Sequence, residues 1–232
     1  MKRFFVLVAI LLATSAQTPP PDSLRHLVYH VSTTFEEPQH VASYGGTATG
    51  MATGGGVGTV TVDIIAVAKD GGLVARATQQ YQTDVRPTAP VTCAIYSDGR
   101  VICPPGSTAM PPAINVLFAA LGRYFYDPSA VAADGTWSTS YQTDGVKAQS
   151  HFTRKSAADA NPVVIDEVSD VTPTESIHAG WHSTTHIVYD ASMSVPDSIH
   201  DVATAIERSG GTAYTTVDLT LQSDSFAKKN GN

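Results

Sequence analysis

The chain has 232 residues, of which only 15% are charged, and acidic side chains outnumber basic ones by 21 to 14. This acidic balance, without any cluster of Lys or Arg, excludes the usual electrostatic basis for binding nucleic acid or an anionic membrane surface. The low charged fraction, with many Thr, Ser, Gly and Val residues, favours strands and turns over exposed helices.

The first 16 residues have the three-part layout of a secretory signal peptide. Lys2 and Arg3 provide the positive charge, residues 4–13 form an unbroken apolar run, and Thr14-Ser15-Ala16 offers small residues for cleavage. The apolar run is shorter than the roughly 20 residues that a permanent membrane helix needs. We therefore expect residues 1–16 to be removed and the mature chain to be periplasmic or extracellular, with no membrane span.

The remaining chain has a length that one all-β domain can fill without dividing. Residues 17–23 contain three consecutive prolines, which predict a short, stiff leader. Period-two alternation begins at Leu24 and indicates a single β-rich domain over residues 24–226, followed by a flexible tail at 227–232.

The first irregular stretch is rich in glycine. Residues 43–58 carry seven glycines and almost no large apolar side chain. Such a composition predicts a flexible loop or a ragged strand edge. A phosphate-binding loop is disfavoured because the stretch lacks the Gly-Lys-Ser/Thr ending.

A hairpin is predicted around Asp70-Gly71. If these two residues form the whole turn, Ala66 lies opposite Ala75 and the apolar side chains of both strands share one face. A slip of one residue would place a charged side chain on that face. We therefore expect the two-residue register.

The two cysteines, Cys93 and Cys103, predict a structural disulfide, because an exported protein folds in an oxidising compartment. A three-residue turn over Ser97-Asp98-Gly99 places Gly99 where a positive φ is needed and brings the two cysteines opposite each other. A redox role is disfavoured because catalytic pairs are more often Cys-x-x-Cys.

One segment departs from the alternation of strands. Pro111-Pro112 suits the start of a helix and Asp127-Pro128 its end. Between them, apolar residues recur at helical spacing and form an amphipathic stripe: Ile114, Leu117, Phe118, Leu121 and Phe125.

A second hairpin follows, with its turn at Asp144-Gly145. That turn sets Trp137 opposite Phe152 and Tyr141 opposite Ala148. Aromatic pairs across neighbouring strands contribute about 0.5–1.5 kcal/mol beyond the burial of their area.

Residues 198–208 fit either a helix or a strand. The Ser209-Gly210-Gly211 turn and the clean alternation after it favour a strand that forms a hairpin with the last strand. The complete pattern thus predicts a mainly β fold. We expect a large curved antiparallel sheet or half-open barrel of about 10 strands, wrapped around one central helix.

Three histidines recur every four residues, at His178, His182 and His186. On a strand, four residues span roughly 13 Å, so one metal ion cannot bridge two of them. We expect a solvent-facing row. Metal binding would need ligands from neighbouring strands, and we predict neither a metal site nor a cofactor.

The sequence contains no catalytic motif that we recognise. There is no Gly-x-Ser-x-Gly elbow, and the adjacent carboxylates of Asp166-Glu167 point to opposite faces of a strand. Asp166 and Asp170 are interpreted as a solvated edge. A hydrolase with a His/Ser/Asp site assembled in space remains an alternative, as does a structural or adhesive surface module.

The favoured hypothesis is a non-catalytic protein that holds an apolar, lipid-like ligand, or an envelope protein, between the sheet and the helix. One helix is too small to cover so many strands, which leaves room for a cavity. The candidate lining residues are the large apolar and aromatic ones: Leu117, Phe118, Leu121, Phe125, Trp137, Tyr141, Phe152 and Trp181.

Overall fold

The computed structural model describes residues 23–43, 46–97, 99–105, 110–122, 131–143, 146–173, 180–206 and 211–226. The predicted signal peptide, most of the leader and the tail lie outside these residues. So do Phe125 and His178, two of the residues singled out above.

The described residues form one helix and eleven strands, all paired antiparallel with their neighbours. The helix, α1, is Pro112–Gly122. The strands are β1 Arg25–Ser43, β2 Gly46–Val67, β3 Leu73–Tyr81, β4 Val91–Ile95, β5 Val101–Ile102, β6 Thr136–Thr143, β7 Val146–Arg154, β8 Val163–Pro173, β9 Trp181–Asp190, β10 Val195–Ile206 and β11 Thr212–Asp224.

The strands form a single open sheet in the order β5-β4-β3-β2-β1-β11-β10-β9-β8-β7-β6. The first strand lies in the middle, where it pairs with the last. The two edge strands, β5 and β6, flank α1 in the chain and are not paired with each other in the described residues. A mainly β fold built on one large antiparallel sheet and one helix is therefore confirmed.

The hydrophobic core lies on one face of the sheet, which we call the inner face, and α1 packs against it. On this face the helix contacts β3, β4 and β5 in one half of the strand order and β10 and β11 in the other half. Its predicted stripe is turned towards the sheet, because Ile114, Leu117 and Phe118 are fully buried. Central strands contribute the rest of the core, including Leu27, Tyr29, Val31, Val60, Val62, Ile165, Ile187, Ile199 and Leu219.

Two of the three predicted hairpin pairings are confirmed. Cys93 and Cys103 form a disulfide, and Gly99 in the turn has a φ of 87°. Trp137 pairs with Phe152, and their stacked rings have centroids 5.0 Å apart.

The ambiguous segment at 198–208 is also a strand as far as it is described. It belongs to β10, in which Ile206 pairs with Thr212 of β11. Gaining a full ladder of backbone hydrogen bonds with two neighbouring strands outweighs the weak helical spacing of its apolar residues.

The register predicted around Asp70-Gly71 is wrong. Leu73 pairs with Val67, so the turn is one residue longer than predicted, and a bulge between Ile64 and Ala66 absorbs a second residue. Ala75 therefore pairs with Ile64 rather than with Ala66. Ile64 is buried in this register, whereas Ala66 is half-buried. Burying the larger side chain removes more apolar area from water, which favours the bulged arrangement.

The expected loop in the glycine-rich segment is also wrong, because β2 runs through it and pairs with β1. The glycines make room for aromatic rings. A Cβ on Gly56 would lie 2.7 Å from Cδ1 of Tyr81, and one on Gly54 would overlap the ring of Phe35. The aromatic side chains cover the strand at positions where it has no side chains of its own.

Candidate functional site

A cavity of about 510 Å³ opens on the inner face, between α1 and the half of the sheet formed by β6 to β11. The helix turns its less buried side to the cavity, and the β4–β5 hairpin contributes to the rim. The cavity is lined by residues of the helix, of the β4–β5 hairpin and of the inner face of β6 to β11. They include Arg100, Asn115, Val116, Ala119, Tyr141, Glu167, Ser169, Val171, Trp181, Ser183, Thr185, Ile187, Asp201, Ala203 and Val217.

The strand registers arrange the lining in rows across the sheet. Asp201 of β10 pairs with Thr185 of β9, which in turn pairs with Glu167 of β8. All three are buried on the inner face. The neighbouring row on the same face, two residues away along each strand, contains Ile199 and Ile187. The cavity floor therefore changes from apolar to acidic between adjacent rows.

The carboxyl group of Asp201 has a perturbed pKa. Burial raises the pKa of Asp201 to about 6, and the hydrogen bond that Thr185 donates to it at 2.7 Å partly offsets that rise. The nearby Glu167 raises the pKa further, and His200 lowers it. The Asp201 carboxyl group is therefore ionised only at a higher pH than that of an exposed aspartate.

The next row is lined with hydroxyl groups. The Oγ atoms of Ser150 and Ser169 lie 3.0 Å apart, and Ser183 pairs with Ser169 on the adjoining strand. All three serines are buried. The floor can therefore offer a ligand both hydroxyl and carboxyl hydrogen-bonding groups.

The described residues that were predicted from sequence to line a cavity separate into three groups. Tyr141 and Trp181 do line it, and Trp181 retains 40% exposure. Leu117, Phe118 and Phe152 are instead fully buried in the packed core.

The remaining candidates lie elsewhere on the inner face. Trp137 packs against the core through its stacked contact with Phe152. Leu121 lines a second, smaller cavity of about 230 Å³, together with Leu27, Tyr189 and Phe226.

Sequence reasoning missed the polar floor of the main cavity. Its signal was present, because Asp201 follows Ile199 at an interval of two and Glu167 follows Ile165 in the same way. Polar residues in phase with a buried apolar set indicate a polar group on the inner face. The sequence alone could not show that the two residues lie on either side of Thr185.

The histidine row lies on the opposite, outer face. His182 and His186 are about half exposed, and their Nδ1 atoms lie 2.8 and 2.7 Å from carboxylate oxygens of Asp170 and Asp166. The solvent-facing interpretation is confirmed for these two histidines. Asp166 and Asp170 are also exposed, but they are not at an edge of the sheet, because β8 lies between β7 and β9. Among the described residues there is no cluster of three or more His, Cys, Asp or Glu that could hold a metal ion.

No described histidine ring contacts both a serine and a carboxylate. His151 contacts the hydroxyl of Ser138 at 2.7 Å, whereas the rings of His26, His182, His186 and His200 each contact an aspartate. The arrangement that a Ser-His-Asp hydrolase requires is thus not assembled in the part of the chain that is described.

Within the described ranges, no helix is long and apolar enough to cross a membrane. No protein-family model and no curated protein matches the chain. One solved structure, described as "Lipid-protein interactions in lipovitellin", matches 86% of this chain with 10% sequence identity and a TM-score of 0.44. The chain spans 25% of that lipovitellin chain, and a likeness at this level carries no argument about function.

Proposed function

We propose that this protein is an exported, non-catalytic carrier that binds a lipid-like ligand in the cavity between α1 and β6 to β11. In this proposal the sheet wraps around α1 as a half-open barrel, and the helix occupies one half of the interior. The single observation that carries the proposal is the cavity of about 510 Å³ on the inner face. Cavities of roughly 300–1,000 Å³ are typical of sites for small molecules.

The chemistry of the lining favours an amphipathic ligand over a purely apolar one. Val171, Trp181 and Val217 provide apolar wall. Asp201 and Glu167 lie on the floor, where their carboxyl groups offer hydrogen-bonding sites to a polar group of the ligand. The ligand would place its hydrocarbon part between the helix and the wall and its polar group on the acidic and hydroxyl rows.

The two competing readings have less support. A hydrolase lacks its catalytic arrangement in the described residues, as shown above. An adhesive module would bind its partner through a flat exposed surface, and a cavity lined by buried carboxyl groups does not contribute to such a surface. The disulfide is compatible with an oxidising, extracytoplasmic location, which a carrier for the cell envelope or the medium would have.

The first experiment is to purify the mature protein, residues 17–232, from its secretion compartment and extract it with organic solvent for mass spectrometry. We expect a stoichiometric amphipathic molecule. The delipidated protein should then bind the neutral fluorescent probe N-phenyl-1-naphthylamine, with saturable enhancement of its emission.

A pair of variants on one strand tests where the probe binds. Ala203→Phe fills the cavity from β10 and should weaken probe binding on the order of tenfold. Val202→Phe adds the same ring one residue away, on the outer face, and should bind the probe like the wild type. Equal binding by both variants, or a protein that neither yields an extract nor binds the probe, would overturn the proposal.

A further inference from the structure

Four side chains form a continuous row across the outer face, at the centre of β8, β9, β10 and β11. In the strand registers, Asp166 pairs with His186, His186 pairs with His200, and His200 pairs with Asp218. The row therefore reads Asp-His-His-Asp, with the two histidines directly opposite each other on neighbouring strands. Residues in such a position have Cβ atoms about 4.5–5.5 Å apart.

Each histidine contacts the aspartate on the neighbouring strand that lies away from the other histidine. The Nδ1 atom of His186 lies 2.7 Å from Asp166 Oδ1, and that of His200 lies 2.6 Å from Asp218 Oδ1. When Nδ1 carries the proton that it donates to a carboxylate, Nε2 of the same ring keeps a lone pair. Because the in-plane directions of the two ring nitrogens diverge, a ring whose Nδ1 is turned to Asp166 or Asp218 directs its Nε2 away from that aspartate, towards the space above the gap between the two histidines.

Both rings are open to solvent above the sheet, with side-chain exposures of 50% for His186 and 53% for His200. A hydrogen bond from Nδ1 to a carboxylate is the arrangement that orients metal-binding histidines in proteins and increases their basicity. Here that arrangement occurs twice, symmetrically about the gap between β9 and β10.

We propose that His186 and His200 together bind one divalent transition-metal ion through their Nε2 atoms, with water completing its coordination. Imidazole nitrogen suits Zn²⁺, Cu²⁺ and Ni²⁺, whereas Mg²⁺ and Ca²⁺ prefer oxygen ligands. Asp166 and Asp218 are positioning residues rather than ligands. The second oxygen of Asp166 faces Lys155 Nζ at 3.4 Å, which keeps that carboxylate engaged away from the gap.

The same sheet contains a matched control. His182 is also on β9, also half exposed and also paired through Nδ1 with an aspartate, Asp170. Its partner across the gap on β10 is Thr204 rather than a second histidine. His182 thus has the orienting carboxylate without the second imidazole, so comparing it with His186 isolates the contribution of the histidine pair.

The test uses the untagged mature protein, stripped with chelator and titrated with ZnCl₂ and with CuCl₂ by isothermal calorimetry. We expect one tightest site per chain, and the electron paramagnetic resonance spectrum of the Cu²⁺ form should show two imidazole nitrogens. His186→Ala and His200→Ala should each weaken this site by about tenfold or more, and His182→Ala should leave it unchanged. MgCl₂ should give no heat of binding.

The positioning role has its own readout. Asp166→Asn and Asp218→Asn keep both imidazoles, and each should weaken the site by roughly tenfold without changing the number of coordinated nitrogens. All substituted side chains are on the outer face, so circular dichroism should show an unchanged fold. A single coordinated nitrogen, or equal losses for His182→Ala and His186→Ala, would overturn the proposal.

Discussion

The hydroxyl of Thr185 donates a hydrogen bond of 2.7 Å to the buried carboxyl group of Asp201 across the gap between β9 and β10. This one contact does not compensate the loss of water around a carboxylate, and the pKa of Asp201 remains raised to about 6, chiefly by burial. The stability of the protein is therefore coupled to pH through this residue.

The direction of that coupling follows from where the proton is held. The folded protein keeps the Asp201 proton up to about pH 6, whereas the unfolded chain releases it near its ordinary value of about 4. As the pH rises from about 4 to about 6, only the unfolded state gains from ionisation. The contribution of Asp201 to the free energy of unfolding should fall over that window, on the order of 2–3 kcal/mol.

Asp201→Asn should remove this fall, because an amide oxygen still accepts the bond from Thr185 but carries no proton to lose. We expect urea unfolding between pH 4 and pH 7, with chelator present, to show a flatter profile than the wild type and higher stability at pH 7. The neighbouring side chains Glu167 and His200 are retained in both proteins. Identical profiles for wild type and Asp201→Asn would contradict the raised pKa; the exposed Asp159→Asn is the control that should match the wild type.

The disulfide should contribute modestly to stability. Cys93 and Cys103 are separated by 10 positions, and closing so short a loop removes little entropy from the unfolded chain, about 2–3 kcal/mol. The double variant Cys93→Ala/Cys103→Ala should unfold at correspondingly lower urea concentration. Reduced wild type should behave like the variant, and an unfolding midpoint that does not respond to reductant would count against this prediction.

The two stacked residues Trp137 and Phe152 should contribute unequally to the stability of the protein. Phe152 is only 1% exposed, so Phe152→Ala should destabilise the protein by about 3–5 kcal/mol, whereas the half-buried Trp137 should contribute less. A double-mutant cycle with leucine at both positions should give a coupling of about 0.5–1.5 kcal/mol in chemical denaturation. Tyr214→Ala, at a position 46% exposed, should change stability little. A coupling of zero would mean that the stacked rings pack independently.

Gly56 should tolerate no side chain. Alanine is normally favoured over glycine in a strand, but its Cβ here would lie 2.7 Å from the ring of Tyr81, whose hydroxyl is 2.6 Å from Thr33 Oγ1. We expect Gly56→Ala to destabilise the protein by about 1–3 kcal/mol in thermal and urea unfolding.

Two comparisons isolate the cause of that loss. A Cβ at Gly50 of the same strand meets no atom within 4 Å, so Gly50→Ala should be neutral or slightly stabilising. In a Tyr81→Ala background, the further change Gly56→Ala should have little effect. Destabilisation of the same size in that background would show that the ring is not the obstacle.

Local sequence was sufficient where a short turn specifies its own hairpin. The positive φ of Gly99 fixes the turn that brings Cys93 and Cys103 together, and the alternation on both sides of residues 144–145 fixes the pairing of Trp137 with Phe152. The same reasoning failed at the Asp70-Gly71 hairpin, where the turn is one residue longer than predicted and a bulge at Ile64, favoured by burial against other strands, shifts the register again. The turn sequence carries no information about that burial.

Periodicity and turn chemistry over a few neighbouring residues were enough to predict the helix, most of the strands and their apolar inward-facing side chains, but not the strand through the glycine-rich segment or the acidic residues of the inner face. The contacts between residues far apart in the chain could be seen only in the folded sheet. The first strand, β1, pairs with the last strand, β11, at the centre of the sheet. The registers of β8 to β10 bring Glu167 near Asp201 on the inner face and His186 opposite His200 on the outer face. These relationships depend on the register between distant strands, which is set by the free energy of packing the whole inner face rather than by any local pattern.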